Sequence, residues 1–158
     1  MDRSQSLDGV TVEARCAYYQ VVCQLPAVID PGSGQIVVNA GRVQAVMVPA
    51  RFGPRIQTML NRREDGVGPI VSHPRSMSWT FLTRSDRRIE IAVDDTLLWA
   101  NNIVVVTTGK QIGLPTPSAS ASTPVYREWV RPPHSPQRPT TFTVLDTVRE
   151  CLTQGRTR

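Results

Sequence analysis

Residues 69–83, PIVSHPRSMSWTFLT, contain two short β-type segments on either side of a proline-containing turn. The segments Pro69–Ser72 and Ser78–Thr83 are rich in β-branched and aromatic residues, whereas the HPRS sequence between them is irregular. Trp79 and Phe81 alternate with hydroxyl side chains along the second segment, so both rings are expected on the face that a core covers. The stretch therefore predicts a β-hairpin with Trp79 packed in the core.

Upstream of this hairpin, the sequence predicts a helix, three strands and a second helix. Apolar residues recur every three or four positions over residues 11–24, which is typical of an amphipathic helix. Three segments separated by turns rich in glycine and proline favour a meander of short strands: 27–29, 35–38 and 43–48. The second helix begins at Pro49 or at Pro54 and runs to about Arg63.

The second helix is predicted to be amphipathic, with arginines on an exposed side. Its apolar residues cluster on one side of the helical wheel: Ile56, Met59 and Leu60. Arg55 and Arg62 lie together on another side, and Arg51 joins them if the helix extends back. Such arginines suit contacts with phosphate, although a solvated helix surface is their more common use.

Downstream of the hairpin, the sequence continues with short elements. The predicted elements are a helix over 89–101, strands over 103–108, 111–114 and 125–130, and a closing helix over 143–152 capped near Thr141 or Thr143. A turn at Gly109-Lys110 is expected to pair the strand 103–108 with the segment 111–114. Together the elements predict an α+β fold with a mostly antiparallel sheet and three to four helices.

Length and composition predict one domain. The chain has 158 residues, of which 40% are hydrophobic and 20% are charged, and this suffices for a single core. We expect a single compact domain over residues 9–153, with disordered ends at 1–8 and 154–158. A flexible loop is expected at 115–124, where the sequence is PTPSASASTP, and a proline-rich stretch follows at 131–139.

The sequence predicts a cytoplasmic protein with no membrane partner. No apolar run approaches the roughly 18 residues of a membrane span, and the N-terminal sequence MDRSQSLDG lacks the apolar stretch of a signal peptide. Three cysteines, an odd number, favour reduced thiols. Cys16 and Cys23 lie about 10.5 Å apart along the predicted helix, beyond the reach of a disulfide. No closely spaced pair of Cys or His ligands occurs, so no metal site and no cofactor are predicted.

The basic character of the chain comes almost entirely from arginine. The formal net charge is +5, and Lys110 is the one lysine among 18 basic residues. Arginine offers a planar fork of N–H donors to phosphates and carboxylates, so this composition is compatible with nucleic acid or with an acidic protein partner. Codon usage in a genome rich in G and C produces the same excess, and this alternative stays open.

No complete catalytic motif is present. Gly109-Lys110 lacks the upstream glycine and the following Ser or Thr of a phosphate-binding loop, and no Gly-x-Ser-x-Gly sequence occurs. The acidic residues Glu90, Asp94 and Asp95 fit a solvated helix face or a helix cap better than a two-metal site. We therefore predict no catalytic residues and favour a protein that is not an enzyme.

Three segments carry a resemblance to a known family: HPRSMSWTFL at 73–82, GKQIGLP at 109–115 and YREW at 126–129. Their order resembles the later part of the bifunctional DNA primase/polymerase N-terminal domain, over residues 43–131, and the first segment is similar to one found in a set of short bacterial proteins. That family has two metal-binding acids around one residue of an early strand, and a later histidine that contacts nucleotide phosphate. This chain has no Asp-x-Asp sequence, and Trp79 or a neighbour stands in place of that histidine. The resemblance therefore implies a non-catalytic relative.

The resemblance and the arginine content together imply a surface that binds nucleic acid or nucleotide. Its predicted residues are Arg55, Arg62, Arg75, Arg84 and Lys110. We expect the arginines of the second helix and of the two loops beside the Trp79 strand to form one positive surface, with Trp79 beneath it. If Trp79 were instead exposed, it would be a base-stacking residue.

Two other functions stay open at this stage. The proline-rich segments within 115–139 are typical of an extended docking region for a protein partner, or of ordinary loops. A metal-dependent nucleotidyl transferase would require Asp30 to join Glu90, Asp94 and Asp95 in three dimensions.

Overall fold

The computed structural model describes residues 10–86, 96–117 and 126–156, and its elements in these ranges form two antiparallel sheets and four helices. The helices are α1 (Val12–Val21), α2 (Gly53–Leu60), α3 (Thr96–Ala100) and α4 (Thr141–Arg156). The strands are β1 (Ala27–Ile29), β2 (Ile36–Asn39), β3 (Val43–Pro49), β4 (Ile70–His73), β5 (Ser78–Arg84), β6 (Val104–Val106), β7 (Gln111–Gly113) and β8 (Glu128–Arg131). The predicted α+β class with a compact single domain is confirmed.

The larger sheet has five strands in the order β6-β3-β5-β4-β8. The predicted hairpin is its centre, because β4 and β5 pair with His73 opposite Ser78 and Ile70 opposite Phe81. The next partner of β5 is β3, with Val48 opposite Trp79. The predicted strand that contains Trp129 is β8, which pairs with β4 at the edge of the sheet.

The smaller sheet has three strands in the order β1-β2-β7. The predicted meander of the segments 27–29, 35–38 and 43–48 is confirmed for the first two, because β1 pairs with β2, and is wrong for the third, because β3 pairs with β5 and β6 in the larger sheet. The predicted pairing of 103–108 with 111–114 is also wrong, because β6 joins β3 while β7 joins β2. The turn at Gly109-Lys110 therefore carries the chain from one sheet to the other.

The larger sheet is covered on both faces. The side chains of Val46, Val48 and Phe81 lie on one face and pack against α2 and α4, which contribute Ile56, Leu60, Leu145 and Val148. On the opposite face, Ala45, Val71 and Leu82 pack with Val38 and Ile112 of the smaller sheet and with Tyr19 of α1. Because successive side chains of a strand point to opposite faces of the sheet, neighbouring residues of β3 and β5 enter different cores.

The helix ends differ from the predicted ones by a few residues. α2 ends at Leu60, because the N–H groups of Arg62 and Arg63 donate to carbonyls three residues back rather than four. A 3₁₀ turn over Ala50–Phe52 precedes it, so Pro49 and Pro54 both stand at helix starts. The hydroxyl of Thr140, rather than Thr141 or Thr143, caps α4 by accepting from the N–H of Thr143 at 3.1 Å.

The predicted flexible segments are partly ordered. Pro115, Thr116 and Pro117 are buried, and the Thr116 hydroxyl accepts a bond from the N–H of Ile36 at 2.9 Å. α4 continues to Arg156 and so occupies part of the end predicted to be disordered. The rest of the loop (118–124), the first part of the helix predicted over 89–101, and the ends 1–8 and 157–158 lie outside the described residues. None of the helices in the described ranges is long and apolar enough to span a membrane.

Candidate nucleic-acid interface

The arginines predicted to form one surface lie at two opposite ends of the larger sheet. Arg75 is in the turn before β5, and Arg84 is the last residue of that strand. The seven residues of β5 place these two ends about 20 Å apart, at the usual rise of an antiparallel strand. The strand between the two loops therefore separates them, and the expected single positive surface stays a prediction.

One end, which we call the Arg84 end, holds Arg42, Arg84, Lys110 and Arg138. The Arg84 guanidinium donates to the Arg138 carbonyl at 3.2 Å and lies 4.0 Å from the Asp65 carboxylate. The carbonyl of Arg42 accepts from the N–H of Ser85, and the carbonyl of Lys110 accepts from the N–H of Ala40. Two of the five predicted site residues, Arg84 and Lys110, thus belong to this end.

The other end, which we call the Arg75 end, holds Arg51, Arg55 and Arg75. The Arg55 guanidinium donates to the Gln154 amide oxygen at 2.8 Å. Gln154 is thirteen residues along α4 from Thr141, whose hydroxyl donates to the Arg84 carbonyl, so Arg55 lies about 20 Å from the Arg84 end. Arg75 precedes Met77, whose carbonyl accepts from the N–H of Ala50 beside Arg51.

A groove of about 330 Å³ opens at the Arg75 end between the start of α2 and the end of α4, and we call it the basic groove. Its lining residues are Arg51, Phe52, Arg55, Asn101, Cys151, Leu152 and Gly155. Arg51 and Arg55 are four residues apart on consecutive helical turns, so their side chains emerge on one side. The Arg51 guanidinium lies 4.5 Å from the centre of the Phe52 ring, which orients it. Within the described ranges, neither arginine forms an ion pair with a carboxylate.

Two large apolar side chains are exposed at the Arg75 end. Trp99 in α3 is 85% exposed and is two residues from Asn101 of the basic groove. Met77, beside Arg75, is 75% exposed and has a positive φ of 52°. The helical rotation of about 100° per residue turns Trp99 away from the buried Leu98. Trp99 was not singled out from the sequence as a site residue.

The Trp79 side chain packs against α2 and Phe81 and is only partly exposed to solvent. Its ring is half-buried, lies against the backbone of Gly53 and is 6.3 Å from the Phe81 ring. A side chain at position 53 would overlap the indole, so glycine is what allows α2 to approach β5 there. The interpretation of Trp79 as a core residue agrees with this packing.

The remaining arginines near α2 have different surroundings. Arg62 lies beyond the end of α2 and is exposed. Arg63 forms ion pairs with Asp146 at 2.6 Å and Glu150 at 2.8 Å, and its bond with Asp146 is the main reason that its pKa is raised. The positive charge of Arg63 is therefore neutralised by α4, and it does not contribute to a surface for phosphate.

Two half-buried arginines were not singled out from the sequence. The Arg127 guanidinium lies on the backbone of Gly113, and burial lowers its pKa. Burial likewise lowers the pKa of Arg138, whose guanidinium donates to the Cys23 carbonyl at 3.1 Å. Arg127 belongs to the YREW segment and Arg138 to the proline-rich stretch, but neither pattern indicates burial, so only the fold reveals it.

The acidic residues considered for catalysis do not form a site in the described ranges. Asp30 lies in the turn between β1 and β2, where its carboxylate accepts from the N–H and hydroxyl of Ser33. Glu90, Asp94 and Asp95 lie outside the described residues. Among the residues that the structure does describe, no group of three His, Cys, Asp or Glu side chains could hold a metal ion.

Comparison of this chain with protein-family models, with curated proteins and with solved structures gives no significant match.

Proposed function

We propose that this protein is a non-catalytic module that binds single-stranded nucleic acid at the Arg75 end. The observation that carries the proposal is the Trp99 indole, which is 85% exposed to solvent. Trp99 is two positions along the chain from Asn101, which lines the basic groove together with two arginines. Exposed aromatic rings stack bases, and arginines beside them contact the phosphates that follow.

The Arg75 end suits this function better than the Arg84 end does. At the Arg84 end, the guanidinium groups of Arg84 and Arg138 donate to backbone carbonyls, and Asp65 supplies a nearby negative charge. In the described part of that end, no aromatic side chain is among the exposed large hydrophobic residues. A single strand needs both a stacking platform and cations, and the Arg75 end offers both.

A protein-docking role for the segment 115–139 has less support. Pro132, Pro133 and Pro139 are buried, and the Pro133 carbonyl accepts from the Tyr18 hydroxyl at 3.4 Å. Within 131–139, the exposed run is limited to residues 134–137. Within 131–139, the buried prolines therefore leave a short exposed stretch for a partner to bind.

Fluorescence anisotropy with a labelled oligo-dT of about 15 nucleotides tests the proposal. We expect affinity to fall steeply between about 50 mM and about 200 mM salt, because bound phosphates release counterions. Trp99→Ala should weaken binding by about 1–3 kcal/mol, the usual contribution of one stacked base. Arg51→Ala and Arg55→Ala should weaken binding and each lower the salt slope by about 0.7.

Lys110→Ala is the matched control, because it removes one positive charge from the Arg84 end. It should leave affinity nearly unchanged. Trp79→Ala tests whether Trp79 packs in the protein or stacks on a base. We expect this variant to lose about 3 kcal/mol of stability, near the lower end of the range for replacing a large aromatic by alanine, because the ring is half-buried. Salt-insensitive binding, or an equal effect of Lys110→Ala and Arg51→Ala, would contradict the proposed interface.

A further inference from the structure

A second groove, of about 580 Å³, lies at the Arg84 end on the side of α1. It is lined by Gln20, Gln24, Leu25, Pro26, Ala27, Val28, Arg42, Val43 and Arg138. This volume is within the range typical of small-molecule sites. The groove is remote from the basic groove, because Val43 begins β3 opposite Arg84.

The charge that lines the second groove is entirely positive. Arg42 is exposed, and Arg138 is half-buried. The Arg138 guanidinium donates through one terminal nitrogen to the Cys23 carbonyl, while its buried Nε has no hydrogen-bond partner among the described residues. Among the described residues, no carboxylate lines the groove to offset these two charges. Two guanidinium groups in one groove favour an anionic ligand, because each can donate charge-assisted hydrogen bonds to it.

The walls of the second groove are mainly apolar. Five of its lining residues have apolar side chains: Pro26 and Val28 are exposed, whereas Leu25, Ala27 and Val43 are buried. Val28 is 42% exposed although it lies in the middle of β1. The Gln20 amide donates to the Ala27 carbonyl at 2.7 Å and so covers part of the open edge of β1. The groove therefore presents apolar side chains rather than a free strand edge that would pair with a peptide.

We propose that the second groove binds a small anionic amphiphile, a molecule with one carboxylate and an apolar body. The carboxylate pairs with Arg138 and Arg42, and the apolar body lies along the exposed side chains of Pro26 and Val28. Guanidinium and carboxylate match in geometry, and the ligand's apolar surface leaves water at the same time. This inference is independent of nucleic-acid binding, since it uses the opposite end of the molecule.

Calorimetric titration with decanoate, kept below its critical micelle concentration, tests the inference. We expect one site per chain and about tenfold weaker binding of decanol, which has the same apolar body without the charge. Arg42→Met keeps the apolar stem and should weaken decanoate binding about tenfold while leaving decanol unchanged. Val28→Glu should abolish decanoate binding, because it places a charged carboxylate on the wall that the apolar body contacts and repels the anion.

A second variant, Arg138→Met, should also weaken decanoate binding, but it removes a half-buried side chain and could unfold the protein. Arg42→Met decides the outcome in that case, because Arg42 is exposed and its replacement should leave the fold intact. Arg62→Met is the control for a general loss of positive charge and should bind decanoate like the parent. Backbone amide NMR shifts should change around residues 24–28 and 42–43 on titration. Equal affinity for decanoate and decanol, no binding of decanoate, or unchanged binding by Arg42→Met would overturn the inference.

Discussion

His73 is held as a neutral side chain at the end of β4. Its Nε2 lies 2.7 Å from the Thr80 hydroxyl on the neighbouring strand. Burial, and to a lesser degree the positive charge of Arg127, lowers the His73 pKa from 6.5 to about 4. The unfolded chain therefore accepts a proton in a pH range where the folded protein does not.

Between pH 6.5 and about 4, we expect the free energy of unfolding to fall as the pH falls. The stabilisation is fully present above pH 6.5, and the loss is at most about 1.4 kcal/mol per pH unit from this residue. Urea unfolding at several pH values in this window measures the slope. His73→Gln should remove most of the slope, and an unchanged slope in that variant would contradict the role of His73.

At the scale of single residues, the sequence predicted packing better than exposure. Alternation identified Trp79 and Phe81 as residues that face a core, since a period of two is a local property. The exposure of Trp99 depends on where α3 begins and which of its sides meets the sheet. The burial of Arg127 and Arg138 depends on contacts with Gly113 and Cys23, which are distant in sequence.

At the scale of elements, α2 and α4 are joined by charge as well as by their apolar faces. Arg63, three residues after α2 ends, holds Asp146 and Glu150, which are four residues apart on one side of α4. The three side chains are 28%, 48% and 49% exposed, so water and salt screen the pairs. The contact fixes the end of α2 on α4 and adds a modest stabilisation.

Arg63→Met should lower the free energy of unfolding by about 1 kcal/mol, the upper range for exposed ion pairs. The loss should shrink in about 1 M salt, where the Debye length is about 3 Å. Urea unfolding at low and high salt measures both effects. Arg62→Met is the matched control one residue away and should change stability little, so equal losses in the two variants would refute the ion-pair explanation.

The elements themselves were largely predictable, whereas their pairing was not. The hairpin β4–β5 is local in sequence, and its turn residues mark it. The pairs β2–β7 and β3–β6 join segments about 60–75 residues apart, and no local pattern specifies such partners. Whether the two ends of β5 belong to one binding surface likewise stays a prediction, because it depends on contacts between segments that are distant in sequence.

At the scale of the whole molecule, Tyr19 joins the two sheets. Its hydroxyl donates to the Pro115 carbonyl at 2.9 Å, just after β7, and accepts from the Trp129 indole N–H of β8 at 3.0 Å. The Tyr19 and Trp129 rings meet edge to face, with their centres 5.7 Å apart. Burial raises the pKa of Tyr19 to about 12, so the hydroxyl keeps its proton.

Tyr19→Phe should lower the free energy of unfolding by about 1–3 kcal/mol, because it leaves a buried carbonyl and the indole N–H without this partner. Tyr18→Phe is the control on the same helix, since Tyr18 is half-buried and its hydroxyl donates to the Pro133 carbonyl at the longer distance of 3.4 Å. We expect a loss well below that of Tyr19→Phe. Thermal unfolding followed by circular dichroism compares them, and similar losses would argue against Tyr19 as a joint between the sheets.

The three cysteines have a practical consequence for studies of this molecule. Cys16, Cys23 and Cys151 are all buried free thiols, and burial raises the pKa of each. Maleimide dyes react with the exposed thiolate, so the native chain should label slowly while folded. A Lys110→Cys or Arg51→Cys substitution therefore provides one reactive handle at either end without removal of the native cysteines. A fluorophore at each handle in turn would show which end of the molecule a bound ligand approaches.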